Sequence, residues 1–414
     1  MARRILHVDF NCFFAAVECL HDPSIRSYPV AVTGDPERRH GIVLAKNELA
    51  KKFGVKTGEA IWQARQKCPN LHCVAPHYDS YVRFSGLGRS IYHEYSDRIE
   101  AFGLDENWVD VTGSTETIAD AVKMAEEIRH RVREELGITV SIGVAENKVF
   151  AKLGSDLKKP DAVSVISSEN YREVAWQLPV EDLLMVGRAT KVRLNELGIT
   201  TIGELATCNP AILQARLGKN GLTLHRFANG LDASPVAFYG EEPPVKSIGN
   251  GVTAPRDLVN DTDVRLTLLM LCESVAERLR SHGFRATTVS IAVRDCGLYS
   301  FTRQKKLAHP TFLTEELLET AMLLFAEHYT WRCPIRSLTI SACDLVSVHD
   351  PLQIDLFQEE WKRQRRERAE QTVDALRTRF GHQAVLRGRL LSDAAIGLMN
   401  PKEEHTVHPV GYRI

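Results

Sequence analysis

The stretch Phe102-Gly-Leu-Asp-Glu-Asn-Trp-Val-Asp-Val-Thr112 alternates apolar residues with acidic ones. This pattern is typical of a β-hairpin strand with one packed face and one wet face. Asp105 and Glu106 break the alternation with two adjacent carboxylates, which repel each other unless a positive group lies beside them. Because neighbouring side chains of a strand point to opposite faces, both can reach one ion only at a strand end or turn. Taken alone, the pair is most simply a solvated hairpin tip.

The composition is that of a folded soluble protein whose positive and negative charges nearly balance. The chain has 414 residues, 52 of them basic and 53 acidic, and its hydrophobic fraction is 44%. This length predicts two to four domains, and the balanced charge means that any basic surface for nucleic acid is local. No apolar run is long enough to span a bilayer, so we expect no membrane partner.

The N-terminus and the cysteines predict a cytoplasmic location. The first residues reach the carboxylate of Asp9 before any long apolar region, unlike a secretory signal. The nine cysteines are scattered, without a Cys-x-x-Cys pair, and no histidine pair completes a metal site with them. We therefore expect reduced, mostly buried thiols in a cytosolic protein.

Asp9 lies at the end of a predicted buried strand, Ile5 to Phe10, and a predicted helix from Asn11 to Glu18 follows it. A carboxylate at the carboxyl end of a strand is a favoured ligand position in open sheets. The same residue could equally cap the helix, and the local sequence leaves both interpretations open.

Up to about residue 170, strands and helices alternate, which predicts an α/β or α+β sheet with helices on one face. Short helices follow, and the stretch from Leu183 to Ile199 resembles a helix-hairpin-helix, although an ordinary αα-hairpin is the commoner object. After a plausible linker at Glu241 to Pro244, residues 246–345 predict the order β-helix-β-β-helix-β. A basic helix from about 359 to 380 is interleaved with acids, and a solvated face is at least as plausible for it as a DNA contact.

Asp9, Asp105, Glu106 and the Lys-Lys-Pro loop at 158–160 can form one constellation. Three carboxylates that converge on hard divalent cations, with a lysine nearby, make a two-metal phosphoryl-transfer site. Magnesium suits ligands that are all oxygen.

Four motifs carry a resemblance to the Y-family of translesion DNA polymerases, which runs from Arg4 to about Leu345. They are specific in combination: His7-Val-Asp-Phe-Asn-Cys-Phe-Phe-Ala-Ala-Val-Glu18, Lys52-Phe-Gly-Val-Lys-Thr-Gly58, Gly103-Leu-Asp-Glu-Asn-Trp-Val-Asp-Val-Thr112 and Ser141-Ile-Gly-Val-Ala-Glu-Asn-Lys-Val-Phe-Ala-Lys152. The resemblance implies an α+β multidomain fold shaped as a right hand. Its parts would be a palm (1–20 and 77–168), small fingers (21–76), a helix-hairpin-helix thumb (169–240), a linker (241–246), an α+β little-finger DNA-binding domain (247–345) and a C-terminal tail (346–414).

The resemblance also implies the roles of individual residues. Asp9, Asp105 and Glu106 would be catalytic metal ligands for two Mg²⁺ ions, together with the backbone carbonyl of Phe10. Three further residues would bind the nucleotide: Phe14 as the steric gate against a ribose 2′-OH, and Lys51 and Lys159 at the triphosphate.

The fingers helix departs from the commoner pattern of Thr, Tyr and Arg, because this chain has Ala45, Glu48 and Lys51 there. A Glu lacks the hydroxyl donor of Tyr, and Lys cannot clamp a phosphate bidentately as Arg does. The lysines of this helix could also be only a solvated face.

The pentapeptide Gln353-Ile-Asp-Leu-Phe357 matches the Gln-x-x-Leu-Phe peptide that bacterial replication proteins insert into the sliding clamp. Gln353, Leu356 and Phe357 would be its anchors, one amide and two apolar plugs. A five-residue match can also arise by chance, but its place after the last domain favours the clamp.

The resemblance thus implies a DNA-directed DNA polymerase that binds primer-template DNA, dNTP and the sliding clamp, and we predict a monomer. One alternative is an inactive DNA- and clamp-binding relative, which would be expected to lack the acids. A nucleotide cyclase also places paired acids in a palm-like sheet, and template dependence separates it from a polymerase.

Overall fold

The computed structural model describes residues 2–37, 39, 41–241, 243–351 and 360–400. The described chain divides into two compact units. The first holds residues 2–35 and 41–241, and the second holds 243–351 and 360–400 with the described part of 36–40. None of the helices in these ranges is long and apolar enough to cross a membrane. The nine cysteines are all free thiols, but only Cys19, Cys68 and Cys272 are buried, so the expectation that most of them are buried was wrong.

The first unit contains a five-stranded sheet, a three-stranded sheet and a group of short helices. Its elements in chain order are β1 (Ile5–Phe10), α1 (Phe13–His21), β2 (Val30–Thr33), β3 (Val43–Lys46), α2 (Glu48–Lys52), α3 (Ile61–Lys67), β4 (His72–Val74), α4 (Tyr78–His93), β5 (Ile99–Phe102), β6 (Glu106–Asp110), α5 (Ile118–Leu136), β7 (Val140–Ala145), α6 (Lys148–Leu157), β8 (Val163–Ile166), α7 (Tyr171–Val174), α8 (Arg188–Asn195), α9 (Ile202–Thr207), α10 (Pro210–Leu217) and α11 (Lys219–Ala228).

The five-stranded sheet has the order β5-β6-β1-β7-β8, which places β1 at its centre. Neighbouring strands are antiparallel except β7 and β8, which run parallel. The central strand reads Ile-Leu-His-Val-Asp-Phe and is buried along its whole length. A strand of this kind needs a covering layer on each side.

Helices cover both faces of this sheet, so the prediction of helices on one face was wrong. Leu6 and Val8 belong to the core shared with α4 and α5, while Ile5 belongs to the core shared with α6. Because alternate residues of a strand face opposite sides, His7 and Asp9 share the α6 face with Ile5. His7 and Asp9 are polar residues of the kind found on a face exposed to water, yet both are buried on the α6 face of β1.

Helix α6 approaches the sheet closely at Gly143 in β7. A Cβ atom at this position would lie 1.9 Å from the carbonyl oxygen of Ala151, so a larger residue would force α6 away from the sheet. The close approach lets Ser155 and Lys152 of α6 reach side chains of β1 and β6.

The three-stranded sheet has the order β3-β2-β4, with β2 antiparallel to β3 and parallel to β4. Asn47 caps α2, since its side chain accepts a hydrogen bond from the backbone N–H of Ala50. The sheet and the helices α2 and α3 enclose a small core of Ala31, Val43, Ala50, Val55, Ala64, Cys68 and Leu71.

Helices α7 to α11 form the helical part of the first unit. The stretch predicted as a helix-hairpin-helix contains α8, and Gly187 is the residue before it. Thr201 caps α9 in a capping box with Glu204, which satisfies backbone N–H groups at both positions. Leu194, Leu205 and Leu224 join these helices to the core beneath α6.

The second unit confirms the predicted order β-helix-β-β-helix-β. Its elements are β9 (Ser247–Leu258), α12 (Asp261–Ser281), β10 (Phe284–Asp295), β11 (Ser300–Thr311), α13 (Thr314–His328), β12 (Ile335–Ser347), α14 (Glu360–Phe380) and α15 (Ala394–Gly397). The four strands form an antiparallel sheet of order β11-β10-β12-β9. Inward residues of α12, such as Leu268 and Leu271, pack on its apolar face.

Residues 360–400 are an integral part of the second unit. Leu390 and Ile396 are buried in the same core as α12. Helix α14 is mostly exposed, as a solvated face would be, but its Arg377 is only 6% exposed and donates to the Glu273 carboxylate of α12. The segment predicted as a tail therefore contributes to the folded domain.

Candidate active site

The three predicted acids meet at one end of the five-stranded sheet. Asp9 near the end of β1 is the direct cross-strand partner of Glu106 at the start of β6. Asp105 lies in the turn between β5 and β6, and its carbonyl oxygen accepts a hydrogen bond of 3.1 Å from the Phe10 backbone N–H. Gly103, at φ +80°, adopts the left-handed conformation that this turn requires. The structure therefore brings together residues that lie almost a hundred positions apart.

Burial and mutual repulsion disturb the titration of these carboxyls. Burial first, and then the charges of Asp9 and Glu106, raise the pKa of Asp105 to about 6. Burial also raises the pKa of Asp9, and the Lys159 charge only partly offsets this effect. Clustered carboxylates of this kind are costly unless cations accompany them, and all-oxygen donors suit Mg²⁺. The donor set therefore fits the divalent metal that the resemblance implies.

Two lysines lie against the acids. Lys159 Nζ is 2.7 Å from Asp9 Oδ2 and 2.8 Å from Asp156 Oδ1. Lys152 of α6 forms an ion pair with Glu106. Across the described ranges, no three His, Cys, Asp or Glu side chains are arranged so that together they could hold a metal ion. Asp9 and Glu106 are instead turned toward these lysines.

Glu106 behaves differently from its neighbours. Burial alone would raise its pKa, but the hydrogen bonds and charges of His7 and Lys152 lower it to about 2. Burial in turn lowers the pKa of His7, although Glu106 opposes the shift. Glu106 is therefore the one acid of the three that the surrounding side chains hold firmly in its charged form.

Sequence reasoning assigned no role to His7 or Lys152, although both stand in quoted motifs. His7 precedes Asp9 by two residues, so alternation places both on the same face of β1. Lys152 follows Lys148 by four residues, which places both on one side of α6. Lys148 is fully buried and donates to the Glu100 carboxylate at 2.8 Å. Strand and helix periodicity were therefore the available signals.

Phe14 lies on α1 in a group of aromatic rings. Its ring stacks on Tyr81 with centroids 4.1 Å apart and planes 7° apart, and meets Tyr78 edge-on at 6.0 Å. Tyr81 is fully buried, and its hydroxyl donates to the Glu18 carboxylate. His77 Nδ1 lies 2.9 Å from the same carboxylate. The half-buried Phe14 ring is therefore held in one orientation by Tyr81, which Glu18 in turn fixes.

The contacts of Phe10 and Lys51 are those of an ordinary core ring and an ordinary surface lysine. The Phe10 ring is buried against Phe13, with centroids 4.9 Å apart. Lys51 is exposed on α2, and its Nζ lies 3.4 Å from Glu48 Oε1. That oxygen also accepts a bond from the Cys12 thiol, so Lys51 lies near the start of α1. The predicted clamp anchors Gln353, Leu356 and Phe357 lie outside the described residues.

Three family models match the chain. A model described as "impB/mucB/samB family" matches residues 8–156, and its C-terminal domain model matches residues 245–356. A model described as "DNA polymerase-iota, thumb domain" matches residues 181–232, which contain α8 to α11. These three matches cover most of the sheet that holds the acids, the helices α8 to α11 and most of the described second unit.

Curated proteins and a solved structure are similar over most of the chain. A protein named DNA polymerase IV from Acetivibrio thermocellus is 50% identical over 96% of this chain and 99% of its own length. DNA polymerase IV of Clostridium acetobutylicum is 36% identical over 94% of this chain and 99% of that protein. A solved Y-family DNA polymerase chimera superposes with a TM-score of 0.73 at 26% identity, covering 83% of this chain and 99% of the chimera. With this mixed α+β fold and these relatives, the chain belongs to the Y-family of DNA polymerases.

Proposed function

We propose that this protein is a translesion DNA polymerase, which adds dNTPs to a primer 3′-OH opposite damaged or undamaged template. The observation that carries the proposal is the meeting of Asp9, Asp105 and Glu106 at one end of the five-stranded sheet. Family membership supplies the reaction class. The geometry supplies three neighbouring carboxylates whose negative charges repel one another unless cations lie between them.

Two Mg²⁺ ions would be held by Asp9, Asp105, Glu106 and the Phe10 carbonyl. When bound, such ions lower the pKa of an attacking hydroxyl and neutralise a leaving pyrophosphate. The work of the protein is to place these oxygens and to exclude competing geometries, because phosphoryl transfer relies on positioning and electrostatics. Lys159 would add positive charge for the triphosphate from the side of Asp9. We propose Lys51 as a second residue that contacts the triphosphate.

The hand-like division of the chain is part of the proposal. The palm would comprise residues 1–20 and 77–168, which contain the five-stranded sheet, and the fingers would comprise residues 21–76 with the three-stranded sheet. The thumb would be 169–240 and the little finger 247–345, joined by the linker 241–246. In support, the first compact unit ends at Glu241, at the start of that linker.

Primer extension with acid variants tests the activity. Asp105→Ala and Glu106→Ala should reduce extension to background, because each removes a charge that holds a cation, while DNA binding stays within a few-fold. Asp110→Asn is the matched control at the far end of β6, where Asp110 accepts a bond from the Thr112 backbone N–H at 3.0 Å. Normal extension by either alanine variant would exclude the assignment, and loss of template dependence would favour a cyclase.

The steric-gate role of Phe14 has its own test. Phe14→Ala should admit ribonucleotides, because the ring that fills the space of a 2′-OH is gone. The readout is the ratio of kcat/KM for dNTP to that for rNTP, which we expect to fall by about a hundredfold, or ~2.7 kcal/mol. Unchanged sugar discrimination would remove Phe14 from this role.

Recruitment by the sliding clamp is proposed on the pentapeptide alone. Leu356→Ala and Phe357→Ala each remove one apolar plug of a peptide that binds in a groove. We expect each variant to lose stimulation of primer extension by the bacterial sliding clamp while keeping its clamp-independent rate. Equal stimulation of the wild type and both variants would show that the match arose by chance.

A further inference from the structure

His7 is a buried imidazole that contacts a predicted metal ligand. It lies at the centre of β1 and is 0% exposed. Its Nδ1 lies 2.8 Å from Ser155 Oγ on α6, and its Nε2 lies 3.2 Å from Glu106 Oε2 on β6. The ring therefore connects three elements, two strands and the helix that covers them.

The one hydroxyl proton of Ser155 has two possible acceptors, and each choice goes with a different tautomer of His7. Ser155 has one hydroxyl proton, and its two nearby acceptors are His7 Nδ1 and the Lys152 carbonyl oxygen at 2.7 Å. A neutral imidazole also carries one proton. If Ser155 donates to Nδ1, the ring proton is on Nε2 and faces the Glu106 carboxylate. Ser155 can thus hold His7 in the tautomer that donates toward Glu106.

The contact between His7 and Glu106 is close but poorly aligned. At 3.2 Å it is within ion-pair distance, yet Nε2 makes no hydrogen bond of good geometry. The Lys152 ammonium pairs with the same oxygen, Oε2. Lys152 therefore holds Glu106 by Oε2, and His7 Nε2 lies beside the same oxygen, so that Oε1 is the oxygen that both leave for another ligand.

We propose that His7, braced by Ser155, is a positioning residue that fixes the rotation of the Glu106 carboxylate and leaves Oε1 for a divalent cation. This inference rests on the proposed function, because it needs Glu106 to be a metal ligand. Partners behind metal ligands commonly set the orientation of those ligands, and losing one typically weakens metal binding or activity by tenfold or more.

A purely structural role is the competing explanation, since the His7 ring also packs against Trp108 with centroids 5.2 Å apart. The two roles predict different results for two replacements. His7→Phe keeps a ring beside Trp108 but removes both nitrogens. His7→Gln removes the ring but keeps an amide N–H that can reach Glu106. Positioning predicts that Gln is the milder change for the site, and packing predicts that Phe is.

The experiment measures Mn²⁺ binding to the full-length protein by electron paramagnetic resonance, with Mn²⁺ as the only added ligand. We expect His7→Phe to weaken Mn²⁺ binding by about tenfold and His7→Gln by no more than about threefold. Ser155→Ala should weaken it by about threefold, since the imidazole stays but loses its brace. In primer extension, His7→Phe should lower kcat by about tenfold and leave the KM for DNA unchanged.

Leu6→Val is the matched control for lost stability, because Leu6 is buried in the same strand but faces the opposite core. It should lower the melting temperature and leave Mn²⁺ binding unchanged. The inference is overturned if His7→Phe binds Mn²⁺ within twofold of wild type, or if Leu6→Val weakens binding as much. Failure of the proposed function would look different, since Asp105→Ala would then extend primers normally.

Discussion

The site at the end of the five-stranded sheet and the charged cluster of the second unit both bury acids, but they neutralise them differently. In the second unit, Glu273 pairs with Arg377 and Arg387, while Arg280 pairs with Glu370 and Asp374. At the sheet end, Asp9 and Glu106 each pair with a lysine. Asp105 has no ion-pair partner among the residues that the structure describes.

The difference separates structural charge from functional charge. Arginine offers several donors in a rigid fork, so a cluster of arginines and acids can be satisfied completely within the protein. Lysine is a single point charge, which can move aside when another cation arrives. A buried acid without a partner costs stability and is retained where it has a task. We therefore expect the two regions to respond to mutation in opposite ways.

The largest expected effect on stability is in the second unit. Glu273→Gln leaves Arg377 buried without its carboxylate, which should lower the free energy of unfolding of this unit by about 3–5 kcal/mol. Urea unfolding followed by circular dichroism measures the loss. Under conditions where the variant is folded, its turnover in primer extension should match wild type.

Glu315→Gln is the control for this variant, because Glu315 forms an exposed ion pair with Arg366 at 3.5 Å. An exposed pair contributes at most about 1 kcal/mol, so little change is expected. The distinction between the two regions fails if Glu273→Gln is no less stable than Glu315→Gln, or if the folded variant has lost its turnover.

The opposite result is expected at Asp105. Asp105→Asn removes one of three clustered negative charges, so the metal-free protein should gain about 1 kcal/mol in free energy of unfolding while primer extension falls to background. Asp110→Asn, at the far end of β6, should gain nothing. A destabilised Asp105→Asn protein would show that this carboxylate is structural.

The pH dependence of this gain follows from the pKa of Asp105. In the folded, metal-free protein it is about 6, above its ordinary value of 3.8. Between these two values the folded state holds a proton that the unfolded state lacks, so stability falls as pH rises from about 4 to 6. The advantage of Asp105→Asn should therefore be larger at pH 7.5 than at pH 4.5. An advantage that does not change with pH would indicate another cause.

Much of this molecule follows from local sequence patterns. The apolar run of β1 and the alternation around β6 were enough to predict these strands, and the acids at their ends, with the loop at 158–160, suggested the two-metal hypothesis. The order of elements in the second unit was also predictable, because its helices and strands are long and regular. Periodicity is a local property, and these features are local.

The remaining features depend on distant pairing. Arg280 and Glu370 lie 90 positions apart, and no local pattern links them. The contact of Lys152 with Glu106 depends on how closely α6 approaches the sheet, which Gly143 permits. The helices on both faces were missed because no local pattern shows that α6 packs on the face of β1 that carries His7 and Asp9. Both residues are buried polar groups with polar partners, since His7 contacts Ser155 and Asp9 contacts Lys159.

The burial of Leu390 and Ile396 has a practical consequence for shortening the chain. A protein ended after Pro351 would lose the pentapeptide Gln353–Phe357 and also two side chains from the core of its last domain. A protein that lacks only 352–359 would keep them. The two deletions are therefore not equivalent ways to remove a clamp peptide, and a defect seen only in the first would report a damaged domain.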